Sequence, residues 1–242
     1  MALAEAARPR TIKADPRLIV ALDVPSVAEA EALVERLGDS VVYYKIGLQL
    51  LSVGGMELAK ALRRRGRKVF LDWKLHDIGV TVEKATAAIA ASEGGDLITV
   101  HAEPQVLAAA VRGRADGPLK ILGVTVLTSL TDDNLVQIGY STKLEALVER
   151  RVRQVLEAGA DGVIVSPREA ALARRIGGPD MLVVTPGVRP AWAGLDDQAR
   201  ADTPAYTLGQ GASHIVCGRP ITAAEDPRAA ALLIAEEMAS GA

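Results

Sequence analysis

Eight short apolar, β-branched runs punctuate this chain, at residues 18–22, 41–44, 69–71, 97–100, 121–127, 162–165, 181–184 and 214–217. Each ends in a polar or glycine break, and most are followed by an Ala-, Leu-, Glu- and Arg-rich segment whose apolar residues recur at helical spacing. Such segments cover residues 27–37, 55–65, 81–93, 144–158 and 167–176. Eight strands in 242 residues make a unit of about 30, the size of a strand-helix repeat in a parallel sheet. The α/β pattern predicts closure into a (β/α)8 TIM barrel. An open doubly wound sheet is the competing arrangement, but it wants a glycine-rich turn after its first strand, and here that strand runs into Asp23-Val24-Pro25-Ser26. No composition shift, low-complexity tract or long linker divides the chain. The expectation is one catalytic barrel over residues 18–242, preceded by a frayed extension over residues 1–17.

Composition removes several classes. Lys and Arg total 28 against 30 Asp and Glu, a net charge of -2, so there is no global attraction to nucleic acid or anionic lipid, and any anion site must be local. Seven aromatic residues are too few for the stacking platforms of single-strand binders. Cys217 is the single cysteine, which forbids an intrachain disulfide, and within a strand it reads as a small buried hydrophobe. Gly, Asp or Lys interrupts every apolar segment short of membrane-spanning length, and residues 1–17 lack the apolar core of a signal peptide. A cytoplasmic location is expected.

In a barrel, chemistry gathers where the strands end. Here the ends carry Asp23, Lys45, Asp72 with Lys74, His101, Thr128-Ser129, Ser166, Pro186-Gly187 and Gly218-Arg219. The first four are expected to converge. Leu71-Asp72-Trp73-Lys74-Leu75-His76-Asp77-Ile78 is the densest cluster. Strand alternation puts Asp72 and Lys74 on one side, toward the mouth, and Leu71 and Trp73 on the other, under the helices. An array of Lys and Asp can hold an ammonium beside a reacting carbon while carboxylates set its field. A solvated ion-pair network is the plainer reading, and Asp77 taken alone is equally a helix N-cap.

A second constellation is Thr185-Pro186-Gly187-Val188-Arg189, then Gln198, then Gly218-Arg219-Pro220. Loops after strands 7 and 8 of many barrels hold phosphate. Gly218 lets backbone approach closely, and Arg189 and Arg219 offer forked donors. The plainer reading is a Pro-Gly turn and a surface arginine. His76, His101 and His214 show no metal-ligand spacing, so no metal site is expected. Arg63-Arg64-Arg65 ends a helix, where cations meet the negative end of the dipole.

Taken together, Leu22-Asp23, Lys45 in Tyr44-Lys45-Ile46-Gly47, Asp72-x-Lys74-x-x-Asp77-Ile78, Thr185-Pro186-Gly187-Val188-Arg189 and Gly218-Arg219-Pro220 resemble the bacterial type of the orotidine 5′-phosphate decarboxylase family. The similarity runs in order from about Leu18 to about Pro227. It implies cofactor-free decarboxylation of orotidine 5′-monophosphate to uridine 5′-monophosphate in pyrimidine synthesis. Carried over by motif, Lys74 is the proton donor to C6, Asp72 lies beside the substrate carboxylate, and Lys45 completes the charge array. The resemblance also implies a homodimer with shared sites, in which Asp77 reaches the partner's active site and Thr81 the ribose of the partner's ligand. Asp23 would hold ribose hydroxyls, Thr128 would lie near the pyrimidine, and Arg189, Gln198, Gly218 and Arg219 would grip the phosphate. Residues 188–201 would form a lid.

The chain departs from the family pattern at two places. Ile78-Gly79-Val80-Thr81 stands where the family usually has Ile-Pro-Asn-Thr, and Trp192 stands where a polar residue is commoner. Metal-dependent phosphosugar enzymes of the same superfamily share the Asp-x-Lys-x-x-Asp core, often with a following Gly. They carry a Glu on strand 2 where this chain has the cation Lys45. A nucleotide-binding barrel without catalysis is a further alternative, disfavoured by the intact Asp72, Lys74 and Asp77, since a binding module has no use for so costly a charge cluster.

Overall fold

All eight expected strands form, and each hydrogen-bonds in parallel to the next in chain order until β8 closes on β1. The structure, a computed structural model, describes residues 13–193 and 202–240. The strands are β1 (Leu18–Ala21), β2 (Tyr43–Gly47), β3 (Lys68–Leu75), β4 (Leu97–His101), β5 (Lys120–Val124), β6 (Gly162–Ile164), β7 (Leu182–Thr185) and β8 (His214–Cys217). The described helices are α1 (Val27–Leu37), α2 (Leu48–Leu51), α3 (Gly55–Arg64), α4 (Gly79–Ala91), α5 (Pro104–Arg114), α6 (Asp132–Gln137), α7 (Leu144–Glu157), α8 (Ala170–Gly177), α9 (Pro204–Gly209), α10 (Arg219–Thr222) and α11 (Pro227–Ser240). None is long and apolar enough to cross a membrane.

Residues of one parity fill the barrel interior: Ile19 and Ala21, Tyr43, Phe70, Leu97, Leu122 and Val124, Ile164, Val184 and Val216 form one buried cluster. The opposite parity packs outward under the helices, with Leu71 and Trp73 among its members. Burying a side chain of Phe70's size contributes roughly 1.5–3 kcal/mol. The interior parity continues upward into polar residues: Lys45 follows Tyr43, Asp72 follows Phe70, and Thr99 follows Leu97. A hydrophobic floor thus passes into a charged mouth within one turn of side-chain alternation.

Three strand feet are closed by one device. Asp96 Oδ2 accepts the Val69 N–H at 2.7 Å and Asp96 N–H returns to the Val69 carbonyl. Asp161 does the same for Ile121, and Ser213 for Val183. Arg63, in the last turn of α3 as the dipole argument expects, also pairs with Asp96, and Arg65 with Glu35. Asp15 and Arg17, at the end of the expected extension, are engaged as well: Arg17 donates to Asp15, and its carbonyl accepts the Ile215 N–H.

β2 and β3 run several residues past the boundaries read from sequence. β2 continues to Gly47 and β3 to Leu75, because Lys45, Asp72 and Lys74, which look like strand terminators, are held within the barrel by one another. β5 stops at Val124 rather than residue 127. Its β-branched continuation turns away after Thr125, whose hydroxyl donates to the Ile164 carbonyl at 2.9 Å. At Gly113 a Cβ would stand 2.3 Å from the Glu83 carbonyl oxygen, so glycine lets α5 press against α4. That contact sets the helix that Asp77 precedes.

Candidate active site

The mouth of the barrel encloses a cavity of about 440 Å³ lined by Asp23, Lys45, Asp72, Lys74, Thr128, Pro186, Gly187, Arg189, Gly218 and Arg219 over apolar Phe70, Ile164 and Val216. The expected Thr128 lines it and Ser129 does not. Charges alternate along one wall. Asp23 Oδ1 lies 3.0 Å from Lys45 Nζ, Lys45 Nζ 3.4 Å from Asp72 Oδ2, and Asp72 Oδ1 2.8 Å from Lys74 Nζ.

Burial and pairing compete here, and pairing wins. Burial works to raise the Asp72 carboxyl, but Lys45 and Lys74 outweigh it and hold the group below the ordinary carboxylate range. Lys45 is 8% exposed. Burial pushes its ammonium down, and Asp72 with Asp23 more than reverses that. Both groups stay charged across the neutral range.

Asp72 and Lys74 face the mouth as expected, but plain strand alternation is not the whole reason. The β3–β4 register shifts between Leu71 and Leu75, and Lys74 has φ 48°, a left-handed conformation that disfavours side chains with a Cβ. Thr99, which the sequence reading overlooked, stabilises it: Thr99 Oγ1 accepts the Lys74 N–H at 2.9 Å and donates to Asp72 Oδ1 at 3.0 Å. Its signal was a lone hydroxyl at an inward position of an otherwise apolar run.

His101 does not join the other three strand ends. It lines a neighbouring cavity with His76, Glu103 and Arg151, on a strand whose pairing with β3 shifts register between Leu71 and Leu75. Asp77 is no N-cap either. Ile78 occupies that position without a side-chain bond, and Asp77 Oδ1 accepts only the adjacent Ile78 N–H at 2.6 Å among the described hydrogen bonds. Asp77 and Thr81 lie outside the mouth cavity, exposed beside Ile78 and Val80, which are 67% and 55% exposed. Gln198 lies outside the described residues. The expected lid begins on a pinned base: Val188 and Arg189 are buried, and Arg189 N–H donates to the Asp202 carbonyl at 2.9 Å.

A closed parallel barrel with a partly buried ion chain at the carboxyl ends of the strands defines a (β/α)8-barrel enzyme. Residues 16–234 match the family model described as Orotidine 5′-phosphate decarboxylase / HUMPS family. The chain belongs to that family. It is 63% identical over 228 residues to the orotidine 5′-phosphate decarboxylase of Caulobacter sp. strain K31, spanning 94% of this chain and 99% of the relative. It is 54% identical to the same-named protein of Rhodopseudomonas palustris strain BisB5, over 94% of this chain and 98% of that one. A crystal structure of orotidine 5′-phosphate decarboxylase from Lactobacillus acidophilus superposes with a TM-score of 0.81 at 36% identity, over 93% of this chain and 99% of that chain.

Proposed function

We propose that this chain decarboxylates orotidine 5′-monophosphate to uridine 5′-monophosphate in pyrimidine synthesis, without a cofactor, as a cytoplasmic homodimer with a single catalytic domain. The observation that carries the reading is the Asp23, Lys45, Asp72, Lys74 chain sharing one cavity with Arg189 and Arg219.

As the C6–carboxylate bond breaks, its electron pair stays on C6, and the Lys74 ammonium donates a proton there. Lys74 is held by Asp72 at 2.8 Å, so its cation stands ready without solvent reorganisation. Asp72 lies beside the departing carboxylate, and Lys45 keeps Asp72 ionised. Asp23 binds ribose hydroxyls and Thr128 the pyrimidine. Arg189, Gly218 and Arg219 hold the phosphate, with Gln198 as a further phosphate contact. Binding energy from that remote phosphate can be used in the transition state, so a substrate lacking it should lose rate as well as affinity.

The exposed Asp77, Ile78, Val80 and Thr81 support a shared site. A carboxylate and a hydroxyl presented among apolar side chains suit a surface buried against a second copy, with Asp77 entering the partner's catalytic cavity and Thr81 contacting its ligand's ribose.

The test is loss of orotate ultraviolet absorbance when EDTA-treated protein meets orotidine 5′-monophosphate. Rapid loss with uridine 5′-monophosphate formed supports the proposal, and Lys74→Ala should abolish turnover while binding the nucleotide. Tight binding without turnover by the unaltered protein would favour the binding-module reading. Neither turnover nor binding of the nucleotide would favour the phosphosugar branch.

A further inference from the structure

The segment carrying Asp77 is clasped from behind by groups that the proposed chemistry does not use. Arg151 on α7 is 9% exposed. It donates through Nη1 to the Thr125 carbonyl, and through Nη2 to Glu103 Oε1 at 2.7 Å and the Tyr140 hydroxyl at 2.9 Å. One oxygen of Glu103 is thereby fixed. The other, Oε2, is buried with no hydrogen-bond partner among the described residues, and His76 Nε2 faces it at 3.7 Å. The His76 ring leans on His101, with centroids 4.7 Å apart and planes 31° apart.

These side chains wall a cavity of about 220 Å³ distinct from the mouth. A buried carboxylate oxygen without a donor is unfavourable, and the imidazole of His76 is the donor that approaches it. His76 immediately precedes Asp77, whose own described bond is to its neighbour Ile78. The geometry points to His76 as a positioning residue: through Glu103 and Arg151 it fixes the direction in which Asp77 leaves its own barrel toward the substrate of a second copy. This rests on the shared-site reading above. It also extends it, because α7 and the β4–α5 loop of one subunit then set catalysis in the other.

Lys74 lies only two residues before His76, so a role in its own barrel must be separated from a role across the dimer. His76→Ala homodimers should remain folded and dimeric with at most a small fall in melting temperature, since the His76 side chain is 55% exposed. They should lose about tenfold to a hundredfold in kcat, the scale of a small misplacement of a catalytic group. His76→Gln, which keeps an amide N–H donor within reach of Glu103, should restore most of it.

The deciding measurement mixes His76→Ala with Lys74→Ala subunits carrying different tags, with exchange verified by native mass spectrometry. In a hybrid, the barrel that keeps Lys74 receives its Asp77 from the subunit that keeps His76. Statistical mixing should therefore return about a quarter of wild-type activity. Asp77→Ala mixed with Lys74→Ala is the control. If the control recovers while the His76→Ala mixture stays at the His76→Ala level, His76 acts within its own barrel and the proposal falls, leaving the shared site intact. If neither recovers despite exchange, both fall. Unchanged kcat in the His76→Ala homodimer would also overturn it.

Discussion

The Thr99 hydroxyl donates to Asp72 Oδ1 at 3.0 Å while accepting the backbone N–H of Lys74 at 2.9 Å. One small side chain on β4 thus ties together the carboxylate and the ammonium around which the proposed chemistry turns, and holds Lys74 in its left-handed conformation. Thr99→Val preserves shape and removes both bonds. Leaving such groups unmet costs about 1–3 kcal/mol, so kcat on orotidine 5′-monophosphate should fall about tenfold to a hundredfold, with Thr99→Ser close to wild type. Equal kcat for Val and Thr would release Thr99 from this role.

Lys45 stands between two carboxylates, 3.0 Å from Asp23 and 3.4 Å from Asp72. It is one of the two cations that hold the Asp72 carboxyl below its ordinary range against the opposing effect of burial. In Lys45→Met, burial should gain ground and the Asp72 carboxyl should rise. A carboxylate needed in its charged form is lost as pH falls through its pKa. The acid limb of the kcat profile should therefore move to higher pH in Lys45→Met, in addition to any fall in its plateau. An unmoved limb would show that Asp72 does not set it.

Most of the barrel was legible because it rests on local pattern: β-branched runs at regular spacing, and helical segments such as 27–37, which forms with those bounds. Most of the mouth was legible because Asp23, Lys45, Asp72 and Lys74 sit where strand order brings neighbours together. What failed depended on three-dimensional context. Charges at Lys45 and Asp72 read as strand ends, yet mutual pairing keeps them inside longer strands. The β3 bulge cannot be seen in a sequence whose alternation looks regular. That irregularity leaves the Lys74 N–H to the Thr99 hydroxyl.

Gly79 opens α4 at a position where the family usually has proline, and the local backbone suits proline. Ile78 before it has φ -60° and ψ 149°, the extended region that proline imposes on its predecessor. Gly79 is the first helical residue, where a missing N–H costs nothing within the helix, and a Cβ there would meet nothing nearer than Ala109 Cβ at 3.7 Å. Gly79→Pro should stabilise the fold by about 0.4–1 kcal/mol, mainly by restricting the unfolded chain. Thermal melts should rise by about 1–4 °C. A lower melting temperature would mean that the segment needs glycine for a conformation other than this one.

At the opposite end of the barrel, His214 stacks edge-on against Tyr43, with centroids 5.8 Å apart. Burial, helped by Lys68 and Arg17 and opposed by Asp15, pushes its imidazole down to about 4. The unfolded chain takes up this proton near pH 6.5, so the folded state binds it less readily than the unfolded state. The contribution of neutral His214 is fully present above about pH 6.5 and is lost as pH falls toward about 4, where the folded state also protonates. Over that window the loss reaches up to about 3 kcal/mol. Denaturant unfolding of wild type and His214→Gln at several pH values isolates the effect, because carboxylate titrations are common to both. The difference in stability between the two should shift in favour of His214→Gln as pH drops from about 7 to about 4.5. Parallel curves would mean that His214 takes up its proton in the folded barrel as readily as in the unfolded chain.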